Sequence, residues 1–204
     1  PLEAELTKIF ANVWRYIQFA TANQFFMIAT DFGLDFYRIH EAMTRDYPRK
    51  AGLPKSGFAA GPCLLKDTMQ LSAATQNNFP LGYSAMLINE GLPNFIVRRL
   101  KATYPLDRMK VGVLGMAFKS ESDDPRESLS YKLRKVLEYE AGNVLCTDVY
   151  IKDPSFYPVE DVVARSAALI VAAPPRAHPG LNIPATKPLA ATANFNGKGP
   201  CIAL

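Results

Sequence analysis

The first thirty residues place apolar side chains at helical spacing. Ile9, Phe10, Val13, Trp14 and Ile17 form a broad stripe, and no Pro or Gly interrupts residues 3–30. Such a run predicts a helix, roughly 40 Å long at 1.5 Å per residue. That is more than one small core needs, so its surplus apolar face is a candidate subunit interface. Gly33 breaks the pattern, and a second helix is expected over 35–45. Residues 47–62 read as loop, punctuated by Pro48, Pro54 and Pro62. Helical spacing returns over 64–76 and 84–101, where Pro93 is expected to kink or divide the second run.

After Tyr104-Pro105 the period changes. Residues 110–114 (KVGVL) form a short apolar run of β type, followed by Gly115, a polar loop and a helix expected over 128–140. Gly142 ends that helix, and residues 143–147 read as the next strand, closing on Asp148. A short helix near 159–164 precedes a buried-strand run, ALIVAA, within 166–173. Strands alternating with helices predict a parallel α/β unit. The fold class expected is α + α/β, with an all-helical domain over residues 1–106 followed by a small Rossmann-like parallel α/β domain over 107–204. No internal repeat is present.

Composition narrows the function classes. The 204 residues are 49% hydrophobic and 21% charged, as in an ordinary soluble globule. The net charge of +4 and pI near 9.0 are mildly basic, without a block of like charge. That favours an anionic small molecule over nucleic acid, for which the pI alone would speak. Three cysteines with no metal-type spacing argue against a disulfide framework and for a reducing compartment. No apolar run approaches the ~18 residues of a membrane span, so a cytoplasmic protein is expected. The chain opens with Pro1 and moves directly into helix-forming sequence, which suggests a piece of a longer protein.

Candidate chemistry concentrates in Gly57-Phe58-Ala59-Ala60-Gly61-Pro62-Cys63-Leu64-Leu65-Lys66-Asp67. A cysteine ends a loop rich in Gly and Pro, where an apolar-periodic run begins. Pro62 suits a first helical turn, and the N–H groups and dipole of such a turn favour a thiolate over a thiol. Asp67 falls one turn beyond Cys63 on the same face. A nucleophile beside a carboxylate suggests covalent chemistry followed by hydrolysis. The other reading of Cys63 is a small packed hydrophobe, and the nearest histidine, His40, lies in another segment. Lys8 and Asn12 share a face of the first helix. Taken alone, Lys8 reads as a solvated lysine paired with Glu5, whereas Asn12 is a poor helix-interior residue that needs a partner if buried.

Four segments, in order, resemble the UDP-glucose/GDP-mannose dehydrogenase family, whose members oxidise nucleotide sugars to uronic acids. They are Glu5-Leu6-Thr7-Lys8 with Asn12, the 57–67 loop, Ile88-Asn89-Glu90 with Pro93, and Leu114-Gly115-Met116-Ala117-Phe118-Lys119 continuing through Asp123-Asp124-Pro125-Arg126-Glu127-Ser128. The resemblance covers the family's central and C-terminal parts. It implies a two-step, four-electron oxidation that consumes two NAD, with the nucleotide sugar as substrate. Cys63 would be the nucleophile that captures the aldehyde, with Lys66 assisting it. Asp67 would orient or activate the hydrolytic water, although its charge opposes thiolate formation. Lys8 would stabilise oxyanion charge, and Asn12 would hold water and sugar.

Substrate-binding roles fall by the same resemblance to Lys119, Gly57, Phe58 and Gly61, and the helical domain would build a homodimer through its long helix. Gly112-Val113-Leu114-Gly115 is not a G-x-G-x-x-G fingerprint, and the family's N-terminal NAD domain has no counterpart here. Asp148 sits where Rossmann domains often place a ribose ligand, whereas this family's C-terminal domain holds the substrate's nucleoside diphosphate. Arg126 with Asp123 and Asp124 reads as a structural ion-pair cluster. Towards the end the likeness fades. Ala173-Pro174-Pro175-Arg176 replaces a usual proline-histidine pair, and Ala191 and Ala193 stand for a usual aspartate and tryptophan. A non-catalytic remnant that binds a nucleotide sugar or dimerises is the alternative.

Overall fold

The computed structural model describes residues 1–50 and 52–173 together with the backbone of 189–191. Pro174, Pro175, Arg176 and Ala193 lie outside the described residues. The chain divides into two compact units, Pro1–Leu92 and Pro93–Leu204, with the division inside one helix.

The first unit is helical. Helix α1 spans Leu2–Asp31 and buries Val13, Tyr16, Ala20, Phe26 and Ala29. Gly33, at φ +70°, lets the chain leave the helix. Asp35 then caps α2 (Phe36–Thr44) by accepting from the N–H groups of Tyr37 and Arg38, so it precedes the helix it was expected to join. Helix α3 spans Leu64–Ala74 and packs on α1. Helix α4, Pro80–Thr103, starts four residues earlier than the apolar pattern suggested and runs through Pro93 undivided. Tyr16, Ala20, Ala59 and Ala85 form the core between α1, the 57–63 loop and α4, joined by Leu64 and Leu65 at the start of α3.

Four of the exposed apolar side chains of α1, Phe10, Trp14, Phe25 and Ile28, share one face. At 100° per residue they fall within roughly 60° of the helix circumference.

The second unit is the α/β one. Strands β1 (Lys110–Leu114), β2 (Asn143–Thr147), β3 (Ala168–Val171) and β4 (Leu189–Ala191) form a parallel sheet in the order β2-β1-β3-β4. Helices α5 (Leu129–Glu140) and α6 (Val159–Arg165) make the crossovers. Ser128 caps α5 through the N–H of Ser130. Leu133 and Leu137 of α5 are fully buried, each contributing about 1.5–3 kcal/mol of apolar burial. The connections out of β1 and β2 run to opposite sides of β1, so the sheet has a switch point at its carboxyl edge, the usual ligand position of this architecture. Among the described residues no helix is long and apolar enough to cross a membrane.

Candidate functional site

The thiol site is assembled from α1, α3 and the loop that precedes α3. Cys63 is the N-cap position of α3 and makes no side-chain cap bond. Pro62 therefore stands outside the helix, one residue before the cap and not in the first turn. Cys63 is exposed, whereas Cys146 on β2 is buried. The packed-hydrophobe reading fits Cys146, whose thiol burial pushes up to about 11, and does not fit Cys63.

Asp67 is 99% buried despite lying beside an exposed thiol. Its Oδ2 accepts from Asn12 Nδ2 at 2.6 Å and from Lys8 Nζ at 2.9 Å. Lys66 Nζ lies 3.5 Å from Oδ1, so its charge is engaged with the aspartate. Burial alone would push the Asp67 carboxyl up. The Asn12 and Lys8 hydrogen bonds, with the charges of Lys8 and Lys66, outweigh it and hold the group below its ordinary range. The hydrogen bond to Asp67 correspondingly raises Lys8. Lys8 is thus a partner of Asp67 across 59 residues of sequence, and not of Glu5. The acidic side chain also sits in the first turn of α3, where the helix dipole favours negative charge.

The loop is held from beneath by a network that sequence reasoning missed. Asn23 of α1 takes both polar groups of Gly57, donating to its carbonyl at 3.0 Å and accepting from its N–H at 2.8 Å. Asn23 Nδ2 also donates to Asn89 Oδ1 of α4 at 2.9 Å, and Asn89 donates to the Tyr16 carbonyl at 3.0 Å. Both asparagines are fully buried. Upstream, His40 Nε2 bonds the Leu53 carbonyl at 3.0 Å, so that ring ties α2 to the path of the loop. Gly57 and Gly61 are buried, Phe58 half-buried. Gly61 adopts φ +107°, a conformation costly for any side chain. The signal for this network was present as two asparagines inside helices, where they are poor formers and must find partners.

In the second unit a cleft lies at the carboxyl edge of the sheet. Its lining includes Lys119, Glu121, Asp148 and Tyr150 with Gly115 and Ala173. Lys119 is exposed, its Nζ 5.3 Å from the centre of the Phe118 ring. Gly115 has φ +90°, and a Cβ there would stand 2.1 Å from the Ala173 carbonyl oxygen. Arg126 clasps Asp124 through three side-chain contacts of 2.7–3.1 Å and holds its carboxyl at about 2. Asp148 lines the cleft, but its carboxylate is taken up by main chain. Its two oxygens accept four backbone N–H groups, from Met116 (2.6 Å), Ala117 (3.1 Å), Tyr150 (2.8 Å) and Ile151 (2.9 Å). Among the described residues no group of three or more His, Cys, Asp or Glu is arranged to hold a metal ion.

Known proteins resemble this chain in sequence and fold. Residues 2–91 match the central domain of the UDP-glucose/GDP-mannose dehydrogenase family. The UDP-N-acetyl-D-mannosamine dehydrogenase of Methanocaldococcus jannaschii is 30% identical over 170 residues, 82% of this chain and 39% of the relative. The structure of UDP-D-ManNAc dehydrogenase from Pyrococcus horikoshii superposes with a TM-score of 0.83 at 26% identity, over 98% of this chain and 52% of that one. A UDP-glucose dehydrogenase structure from Pyrobaculum islandicum gives a TM-score of 0.79 at 25% identity, over 96% and 49%. The chain therefore spans about half the length of these solved structures, and less of the curated relative. With its central domain at residues 2–91 and its likeness to nucleotide-sugar dehydrogenases running on through the α/β unit, the chain belongs to the UDP-glucose/GDP-mannose dehydrogenase family.

Proposed function

We propose that this chain supplies the catalytic thiol and the nucleotide-binding unit of an NAD-dependent nucleotide-sugar 6-dehydrogenase that oxidises a UDP-hexose to a UDP-uronic acid. The observation that carries the reading is an exposed Cys63 one helical turn before a buried Asp67 held by Lys8 and Asn12.

In this reading the Cys63 thiol adds to the carbon of a sugar aldehyde, its proton passing to the carbonyl oxygen. Oxidation of that adduct leaves a thioester on Sγ. Water then attacks the acyl carbon, and the carboxylate product and free thiol separate. Asp67 orients the water, while Lys8 and Asn12 fix Asp67 and offer donors to developing oxyanion charge. NAD is the hydride acceptor such chemistry requires. The described residues do not fit a dinucleotide, because the turn after β1 spends two of its N–H groups on Asp148, so no residue of this chain is assigned to it. Gly57, Phe58 and Gly61 shape the substrate side of the thiol loop, and Lys119 meets the nucleoside diphosphate in the cleft of the α/β unit. The helical region up to about residue 106 forms a homodimer through the Phe10, Trp14, Phe25 and Ile28 face of α1.

Alkylation of Cys63, followed peptide by peptide with mass spectrometry at pH 7, tests the thiol. Reaction at least about tenfold faster than free cysteine is expected of an activated nucleophile. A rate no faster than free cysteine supports instead a non-catalytic protein that binds nucleotide sugar or dimerises. When the chain is joined to the NAD-binding domain of a relative, oxidation of a UDP-sugar is expected. Uronic acid formed at full rate by the Cys63→Ser version would refute the thioester.

A further inference from the structure

Asp148 ends β2 with its carboxylate filled by main chain. An ionised carboxylate offers about four acceptor sites, and four N–H groups occupy them. They come from opposite lips of the cleft. Met116 and Ala117 belong to the loop after β1, whereas Tyr150 and Ile151 belong to the loop after β2. In a dinucleotide-binding fold, the N–H groups of the turn after the first strand face a phosphate. Here an internal anion faces that turn, and α5 begins only at Leu129, with Ser128 as its cap.

The same loop is braced on its other side. Ser128 Oγ donates to the Ala117 carbonyl at 3.1 Å, and the Phe118 N–H donates to the Asp124 carbonyl at 3.1 Å. From Asp148 to Lys119 the path is then Met116, Ala117 and Phe118, each with its N–H taken, and Lys119 rests over the Phe118 ring. A second tie crosses the mouth, where Tyr150 donates its hydroxyl to Glu121 Oε2 at 2.8 Å. Glu121 adopts φ +55°, an uncommon conformation for a residue with a side chain.

We propose that Asp148 is a positioning residue for ligand binding in the α/β unit. Its carboxylate takes the place a phosphate would have in the turn after β1, joins the two lips of the cleft, and so holds the loop that delivers Lys119 to the ligand's diphosphate. Recognition of the diphosphate passes from main-chain N–H groups to that side chain. The inference rests on the reading of this cleft as the nucleoside diphosphate site.

Two measurements on the whole chain test it. The first needs no ligand. Asp148→Asn puts an amide N–H₂ where a carboxylate oxygen accepted two N–H groups, so residues 116–119 are expected to exchange amide hydrogens at least about tenfold faster, with β1 and α5 still protected. Unchanged exchange in that loop overturns the positioning role, whatever the cleft binds. The second is calorimetric titration with UDP. Lys119→Ala is expected to weaken UDP about tenfold in the parent chain, as loss of a charge-assisted contact does, but twofold or less in the Asp148→Asn background, because the lysine is no longer delivered. Equal losses in both backgrounds show that Asp148 does not act through Lys119. If the parent chain binds no UDP while the loop loosens as expected, the assignment of the cleft fails and the brace stands. Unchanged Cys63 alkylation in Asp148→Asn controls for damage elsewhere, and Asp148→Glu is the second variant should Asp148→Asn not fold.

Discussion

The buried carboxylate of Asp67 sets up an unequal contest between its two α1 partners. Asn12 is neutral, half-buried and bonded at 2.6 Å, whereas Lys8 is charged, 59% exposed and bonded at 2.9 Å. Replacing Asn12 by alanine removes a hydrogen bond to a charged group, worth about 1.5–3 kcal/mol. Alanine is the better helix former and returns about 0.5 kcal/mol, so a net loss of about 1–2.5 kcal/mol is expected. Lys8→Ala is expected to cost less, because solvent screens an exposed ammonium. The ranking thus puts the neutral side chain above the charged one. Urea unfolding read by hydrogen exchange of the α1 and α3 peptides reports on this unit alone. The sign with pH is also fixed. Asp67 is held below its ordinary range when folded, so the stability it contributes is present above the unfolded value near ~4 and is lost as pH falls through the lower folded value. The gap between parent and Asn12→Ala should therefore be full at pH 6 and narrow below about 4. An Asn12→Ala protein as stable as its parent, or less affected than Lys8→Ala, would refute the reasoning.

Other substitutions test the remaining supports. Asn23→Ala strips partners from the N–H and carbonyl of Gly57 and from Asn89 Oδ1. At about 1–3 kcal/mol for a buried unsatisfied group, a loss above ~2 kcal/mol is expected in the same urea experiment, and less than ~1 would mean the loop does not depend on it. Trp14→Arg should convert a dimer to a monomer in sedimentation velocity, and a parent chain that already sediments as a monomer rules out the α1 interface. Gly115→Ala puts a methyl against the Ala173 carbonyl at a φ of +90°. Residues 115–122 are expected to lose exchange protection, and a fully protected loop would contradict the close approach.

How far the sequence could be read depended on whether a residue's signal was local. The helical period of α1 and the change of grammar after Tyr104-Pro105 are local signals, and both recur as helix and strand within a few residues of where the pattern put them. Caps were less legible. Asp35 and Ser128 were read into their helices, although both stand outside and accept from the first turn, since one polar side chain serves either position until the backbone angle is known. Pro93 was the opposite case. A missing N–H and a crowded ring argue for a kink or a division, and α4 runs through Pro93 undivided, with Leu92, Phe95 and Ile96 buried around it.

The chemistry was legible as a set of residues and illegible as a set of contacts. Family resemblance named Cys63, Asp67, Lys8 and Asn12 and set Lys66 beside the thiol, while the residues alone paired Lys8 with Glu5. Both lysines instead lie within ion-pair distance of Asp67, because a buried carboxylate must find donors for its oxygens. An acidic residue buried in a helix that packs against α1 takes partners from α1, here Lys8 and Asn12, as well as from its own helix, here Lys66. The same logic reaches Asp148. A carboxylate at the end of a buried strand beside a turn that lacks the dinucleotide fingerprint has backbone N–H groups as its nearest donors, and they claim it before any ligand can.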